Sequence, residues 1–172
     1  MNKNIKSAAQ GGFTLIELIV VIVILGILAA TALPKFASLG GDARFASLSA
    51  AKGALASTSA MAHGKYLVHT GTAPLVDVTV EGSKITFDAA GYPKADQGLV
   101  EAAGLGSEYK VYAASTGAST NNVKVESDEI MLVPTSISDT VSGTKCFIKF
   151  KEAKTKGSVP VVTVTGSAGD CE

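Results

Sequence analysis

The stretch "QGGFTLIELIVVIVILGILAATALP", Gln10–Pro34, decides how this 172-residue chain folds. From Phe13 to Leu33 it holds no Lys, Arg, Asp, Asn, Gln or His, and Glu17 is its one charge. At about 1.5 Å per residue, a helix over that span matches the roughly 30 Å hydrocarbon thickness of a bilayer. Ile, Val and Leu are spread all round, without the polar stripe of a surface-lying amphipathic helix. Lys3 and Lys6 precede the run and favour a cytoplasmic N-terminus. A cleaved secretory signal is the competing reading, with "LAATA" (Leu28–Ala32) as its small-residue cut site. Glu17 weighs against it. An acid at the centre of a span costs on the order of 2.5–3.5 kcal/mol, less near the ends, and a disposable leader has no use for one. Such an acid is read first as functional, with a partner to be named.

The residues "GGFTLIELIVVIVILGILAATALPKF" (Gly11–Phe36) resemble the N-terminus of type IV pilin precursors with a class III leader. The resemblance implies that a prepilin peptidase cuts after Gly12, removing residues 1–12, and that the new amine of Phe13 is methylated. It implies that the apolar run stays in the mature chain, first as a single-pass inner-membrane anchor and then as the core of an extracellular filament. In that family the acid, here Glu17, pairs with the N-terminal amine of a neighbouring subunit. A matched pair in low dielectric is far better than either charge alone, so the contact would set axial register. The implied partners are identical subunits in a homopolymer, the prepilin peptidase, an inner-membrane assembly platform, the membrane itself, and host or environmental glycans. Further on, "PKF", "DAR" and "KGALAS" within Pro34–Ser57 resemble the mannose-sensitive haemagglutinin (MSHA) pilin subfamily, with a looser match at the "GG" before "DAR". That implies a major subunit serving surface attachment and biofilm formation. A type II secretion pseudopilin or a minor or competence pilin would share the same N-terminus.

Pro34 lacks an amide hydrogen and disfavours helical geometry at Leu33, so a kink or break is expected near there, with Gly26 a second weak point. "GGD" (Gly40–Asp42) predicts another bend, with Asp42 capping a fresh turn. From about Ala43, Leu48, Ala51, Leu55, Ala62 and Tyr66 recur at three- and four-residue steps or their sums, predicting an amphipathic helix. The expected organisation is a leader at 1–12, an apolar helix at 13–34, an amphipathic helix at 35–66 and a β domain at 67–172. "LVDVTVEGSKITFD" (Leu75–Asp88) reads as a hairpin turning at Glu81-Gly82-Ser83. Ala95–Leu105 reads as a short helix capped by Asp96, and Tyr109–Ala113 as a strand followed by a polar loop to Asn122. Val123–Val125 and "EIMLVP" (Glu129–Pro134) read as strand material. Lys145–Lys151 and Val159–Gly166 read as a final hairpin with Pro160 at an edge. The predicted class is α+β, with the type IV pilin fold of a long N-terminal helix on an antiparallel sheet.

Lys+Arg and Asp+Glu both number 15, and loss of Lys3 and Lys6 with the leader leaves the mature chain weakly acidic. No dedicated nucleic-acid site is expected from that balance. Cys146 and Cys171 lie on the side of the membrane away from the leader, an oxidising compartment, so a disulfide is expected. By loop-closure entropy it contributes roughly 3 kcal/mol. The spacing is not CxxC, and no His cluster accompanies it.

Catalysis is not expected, nor is any cofactor or metal. "SAAK" (Ser49–Lys52) fits the S-x-x-K pattern but lies on an Ala-rich helix with no S-D-N or K-T-G element. His63 and His69, six apart, miss the i, i+4 spacing of a metal pair and read as ordinary surface residues. "ESDE" (Glu126–Glu129) reads as an exposed acidic turn rather than a calcium loop. Lys145, Lys149, Lys151, Lys154 and Lys156, interleaved with Phe147 and Phe150, read as charges that keep an edge hairpin from aggregating, in preference to a polyanion contact.

Overall fold

The computed structural model describes residues 13–37, 39–69 and 76–172. The chain divides into two compact units, one ending at Ala37 and one running from Ser38 to Glu172. The first described helix, α1 (Leu15–Ala37), contains both Gly26 and Pro34. The break expected at those two residues is therefore absent from α1. Pro34 removes a single backbone hydrogen bond and leaves the donors of its neighbours intact. Gly26 costs about 1 kcal/mol relative to alanine, too little to stop a helix that is already propagating.

The second unit opens with α2 (Leu39–Leu67), whose first turn contains Gly40, Gly41 and Asp42. Leu48, Ala51, Leu55 and Ala62 are buried at the predicted helical spacing, with Tyr66 half-buried at the end of the stripe. A two-stranded antiparallel hairpin follows, β1 (Asp77–Val80) and β2 (Ser83–Thr86), in which Val80 pairs with Ser83. Its two-residue turn places Glu81 at φ 49° and Gly82 at φ 82°, the left-handed pair that matches strand twist. The predicted hairpin start at Leu75 lies outside the described residues. Asp96 caps α3 (Gln97–Ala102) as expected, its carboxylate accepting the Leu99 amide at 3.2 Å.

The main sheet is a four-stranded antiparallel meander in the order β3 (Tyr109–Tyr112), β4 (Glu129–Pro134), β5 (Phe147–Lys151), β6 (Val161–Thr165). Register places Phe150 between Ile130 and Val162, and Ile148 between Leu132 and Val164. These side chains share one core with Leu48 and Leu55, so α2 packs on the sheet, giving the α+β class. The same core takes in Val125 and Ile137 from the connections flanking β4, together with Met131 and Val133. Val123–Val125 form no strand, contrary to expectation; Val125 instead serves as a core plug from an irregular connection. Pro160 directly precedes β6, an edge strand, where a missing donor costs least.

The C-terminus is tied across the start of α2. Residues Ala168–Cys171 form a 3-10 turn held by a reciprocal cap between Ser167 and Asp170. Cys146 and Cys171 are joined by a disulfide, with Cα atoms 5.1 Å apart. Arg44 Nη1 donates to the Cys171 carbonyl at 2.8 Å. Gly41 lies beneath this tail; a Cβ there would fall 2.2 Å from the Ala168 carbonyl oxygen.

Candidate functional site

The site starts two residues before α1. Phe13 and Thr14 lie outside the helix, and Phe13 is 94% exposed. The Thr14 amide donates to Glu17 Oε2 at 2.9 Å and the Thr14 hydroxyl donates to the same oxygen at 2.7 Å. The Glu17 amide donates back to Thr14 Oγ1 at 3.3 Å. This is a capping box, in which N-cap and third helical residue satisfy each other's orphan amides. Its signature, Thr14-x-x-Glu17 ahead of an apolar run, was readable in the sequence and was not among the motifs picked out above. An acid in the first turn also meets the positive end of the helix dipole. Gly12, the residue predicted to precede the cut, lies outside the described residues. Along α1, the large apolar side chains from Leu15 to Phe36 are at least 45% exposed. By length and composition α1 can cross a membrane.

The second unit departs from expectation in its charged and aromatic groups. Asp128 and Glu129 do not form an exposed acidic turn; their side chains are 7% and 12% exposed. Glu129 meets Lys149 at 3.0 Å and Lys151 at 3.3 Å, while Asp128 meets Lys151 at 3.4 Å and Lys154 at 3.2 Å. Cross-strand register explains the match, because Glu129 sits directly opposite Lys151. Burial pushes the Asp128 carboxyl up, but hydrogen bonds from Lys154, the backbone and Lys151 outweigh it and hold the group below its ordinary range. The same contest, won by Lys149 and Lys151, holds Glu129 down. Three of the five lysines thus neutralise an internal acid pair, a role neither sequence reading assigned them.

His63 is no ordinary surface histidine. Its ring stacks on Tyr92 with centroids 3.8 Å apart, and Nδ1 is 2.8 Å from the Gly91 carbonyl, which fastens the 88–92 loop to α2. His69 is exposed. Ser49 bonds back to the Phe45 carbonyl at 3.1 Å, and both it and Lys52 face solvent. Among the described residues no group of three or more His, Cys, Asp or Glu is placed to hold a metal.

Two residues outside the helix, a capped acid and an exposed apolar helix make up this N-terminal segment, and one comparison supports the class of type IV pilin-like precursors. A family model described as the prokaryotic N-terminal methylation motif matches residues 7–33, which include Gly12, Phe13, Thr14 and Glu17. The motif implies processing by a prepilin peptidase and pilus-type assembly, and with α1 it fits an inner-membrane-anchored precursor. Searches of curated proteins and of solved structures gave no match to this chain.

Proposed function

We propose that the chain is the major structural subunit of a type IV pilus of the MSHA type, serving surface attachment and biofilm formation. The carrying observation is the methylation motif joined to an apolar helix whose large side chains are at least 45% exposed. Such a surface needs lipid or other copies of itself, and a filament core of packed α1 helices supplies the second. Glu17 brings a carboxylate into that core, and the ammonium of Phe13 on a neighbouring subunit is its partner. A membrane-tethered enzyme is disfavoured by the lack of any coherent catalytic group in the sequence. The MSHA subfamily rests on "PKF", "DAR" and "KGALAS".

The test is to shear filaments from intact cells and take the intact mass of the released subunit. A dominant sheared species beginning at methylated Phe13, with the Cys146–Cys171 bridge, supports a major pilus subunit. A processed chain retained in the envelope would instead make it a secretion pseudopilin or a minor pilin.

A further inference from the structure

The Glu17 carboxylate is already engaged at the start of its own helix. Oε2 already takes two donors from Thr14, the amide and the hydroxyl, and no hydrogen bond reaches Oε1 within the described residues. Each donor does something different. The amide is an orphan of the helix start and would need some acceptor in any case. The hydroxyl is not an orphan, since a threonine hydroxyl can rotate to other acceptors; here it donates to Glu17 while accepting the Glu17 amide.

We propose that Thr14 is a positioning residue for assembly. Its hydroxyl locks the Glu17 carboxylate through Oε2, which presents Oε1 to the α-ammonium of a second copy of this chain. This rests on the pilin reading above. Without the hydroxyl, the amide alone holds Oε2, and the carboxylate would have to be ordered further as the partner arrives, at an entropic cost to docking. With it, that ordering is complete in the free subunit. The pair of donors also satisfies part of the carboxylate while the precursor waits in lipid, where an unpaired acid is expensive. The cationic ligand is the chain's own N-terminus after cleavage and needs no further group.

Three variants of the full chain separate positioning from mere helix capping. Thr14→Ser keeps the hydroxyl. Thr14→Val keeps the shape and loses it. Thr14→Gly loses it but is about as good an N-cap as threonine. Each is co-expressed with the unaltered chain in cells that assemble it, and the ratio of N-terminal peptides in sheared filaments is compared with that in the membrane. Expected is incorporation of T14S near the unaltered level and a drop of at least fivefold for both T14V and T14G, with all three cleaved and N-methylated. Incorporation of T14G like T14S would overturn the proposal, because capping alone would then suffice. T14V and T14G accumulating uncleaved would overturn it too. If Glu17→Gln itself enters filaments freely, the assembly reading fails and the positioning role falls with it. If Glu17→Gln is excluded while T14V and T14G are not, only the positioning role fails.

Discussion

Glu17→Leu should leave cleavage after Gly12 intact and prevent assembly. The substitution removes the one carboxylate in α1 and, in the proposed filament, would strand the neighbour's ammonium; an unmatched buried charge costs about 3–5 kcal/mol. Immunoblotting for the shortened chain, with counting of surface filaments, checks both halves; normal filaments made only of this variant would rule out the pairing. Gly41 acts through what it lacks. Gly41→Ala places a methyl against the Ala168 carbonyl, so the C-terminal turn must lift off α2. The expected loss is about 1–3 kcal/mol, the usual range for overpacking. It should appear as a lowered melting temperature of the full chain in detergent, with α1 helicity retained. An unchanged melting temperature would show that the tail is not held there.

At the scale of elements, β4 and β5 are joined by more than their backbone ladder. Asp128 and Glu129 are both held below their ordinary values of 3.8 and 4.5. A carboxyl depressed in the folded state binds fewer protons there than when unfolded. Its stabilisation is therefore complete above the ordinary value and is lost as pH falls through the depressed one. The second unit should accordingly unfold on acidification below about pH 4, as protonation cuts the acids from Lys149, Lys151 and Lys154. Lys149→Ala should move that acid transition upward, since Glu129 loses the partner that contributes most to its depression. Near-UV circular dichroism of the full chain against pH reads the transition; coincident curves for the two proteins would show that the ion pairs are not what fails. Strand alternation and turn chemistry made the hairpin, α3 and the last two strands legible in the sequence, because those signals are local. Val123–Val125 has strand-like composition but lies outside the ladder, and its β propensity yielded to the burial of Val125 in the core.

For the whole molecule, the contrast between the two units predicts behaviour in solution. One is an apolar helix with its side chains open; the other closes its own core and staples its tail. Diluting detergent below its micelle-forming concentration should make the full chain associate through α1 while the second unit keeps its near-UV signal. Sedimentation velocity on the diluted sample reads this directly. A chain that stays monomeric would show that α1 finds cover some other way. Of the candidate site, Gly12, Phe13 and Glu17 could be read directly, because the motif is contiguous and its meaning depends on residues within one helical turn. The Thr14–Glu17 box is equally local and needs only i, i+3 spacing.

By itself, then, the sequence determined the apolar helix, its lone acid, the amphipathic face of α2 and the expectation that the two cysteines pair. Each follows from composition or from periods of two and 3.6 residues. Only the tertiary structure decided that buried Asp128 and half-buried Glu129 pack against three lysines, that His63 clasps the 88–92 loop, and that Gly41 lies under the C-terminal tail. Those contacts join residues 20 or more positions apart, or 127 in the case of the Arg44 bond that helps hold the tail. A residue's own type does not specify a partner at that distance; the packing of α2 on the sheet does.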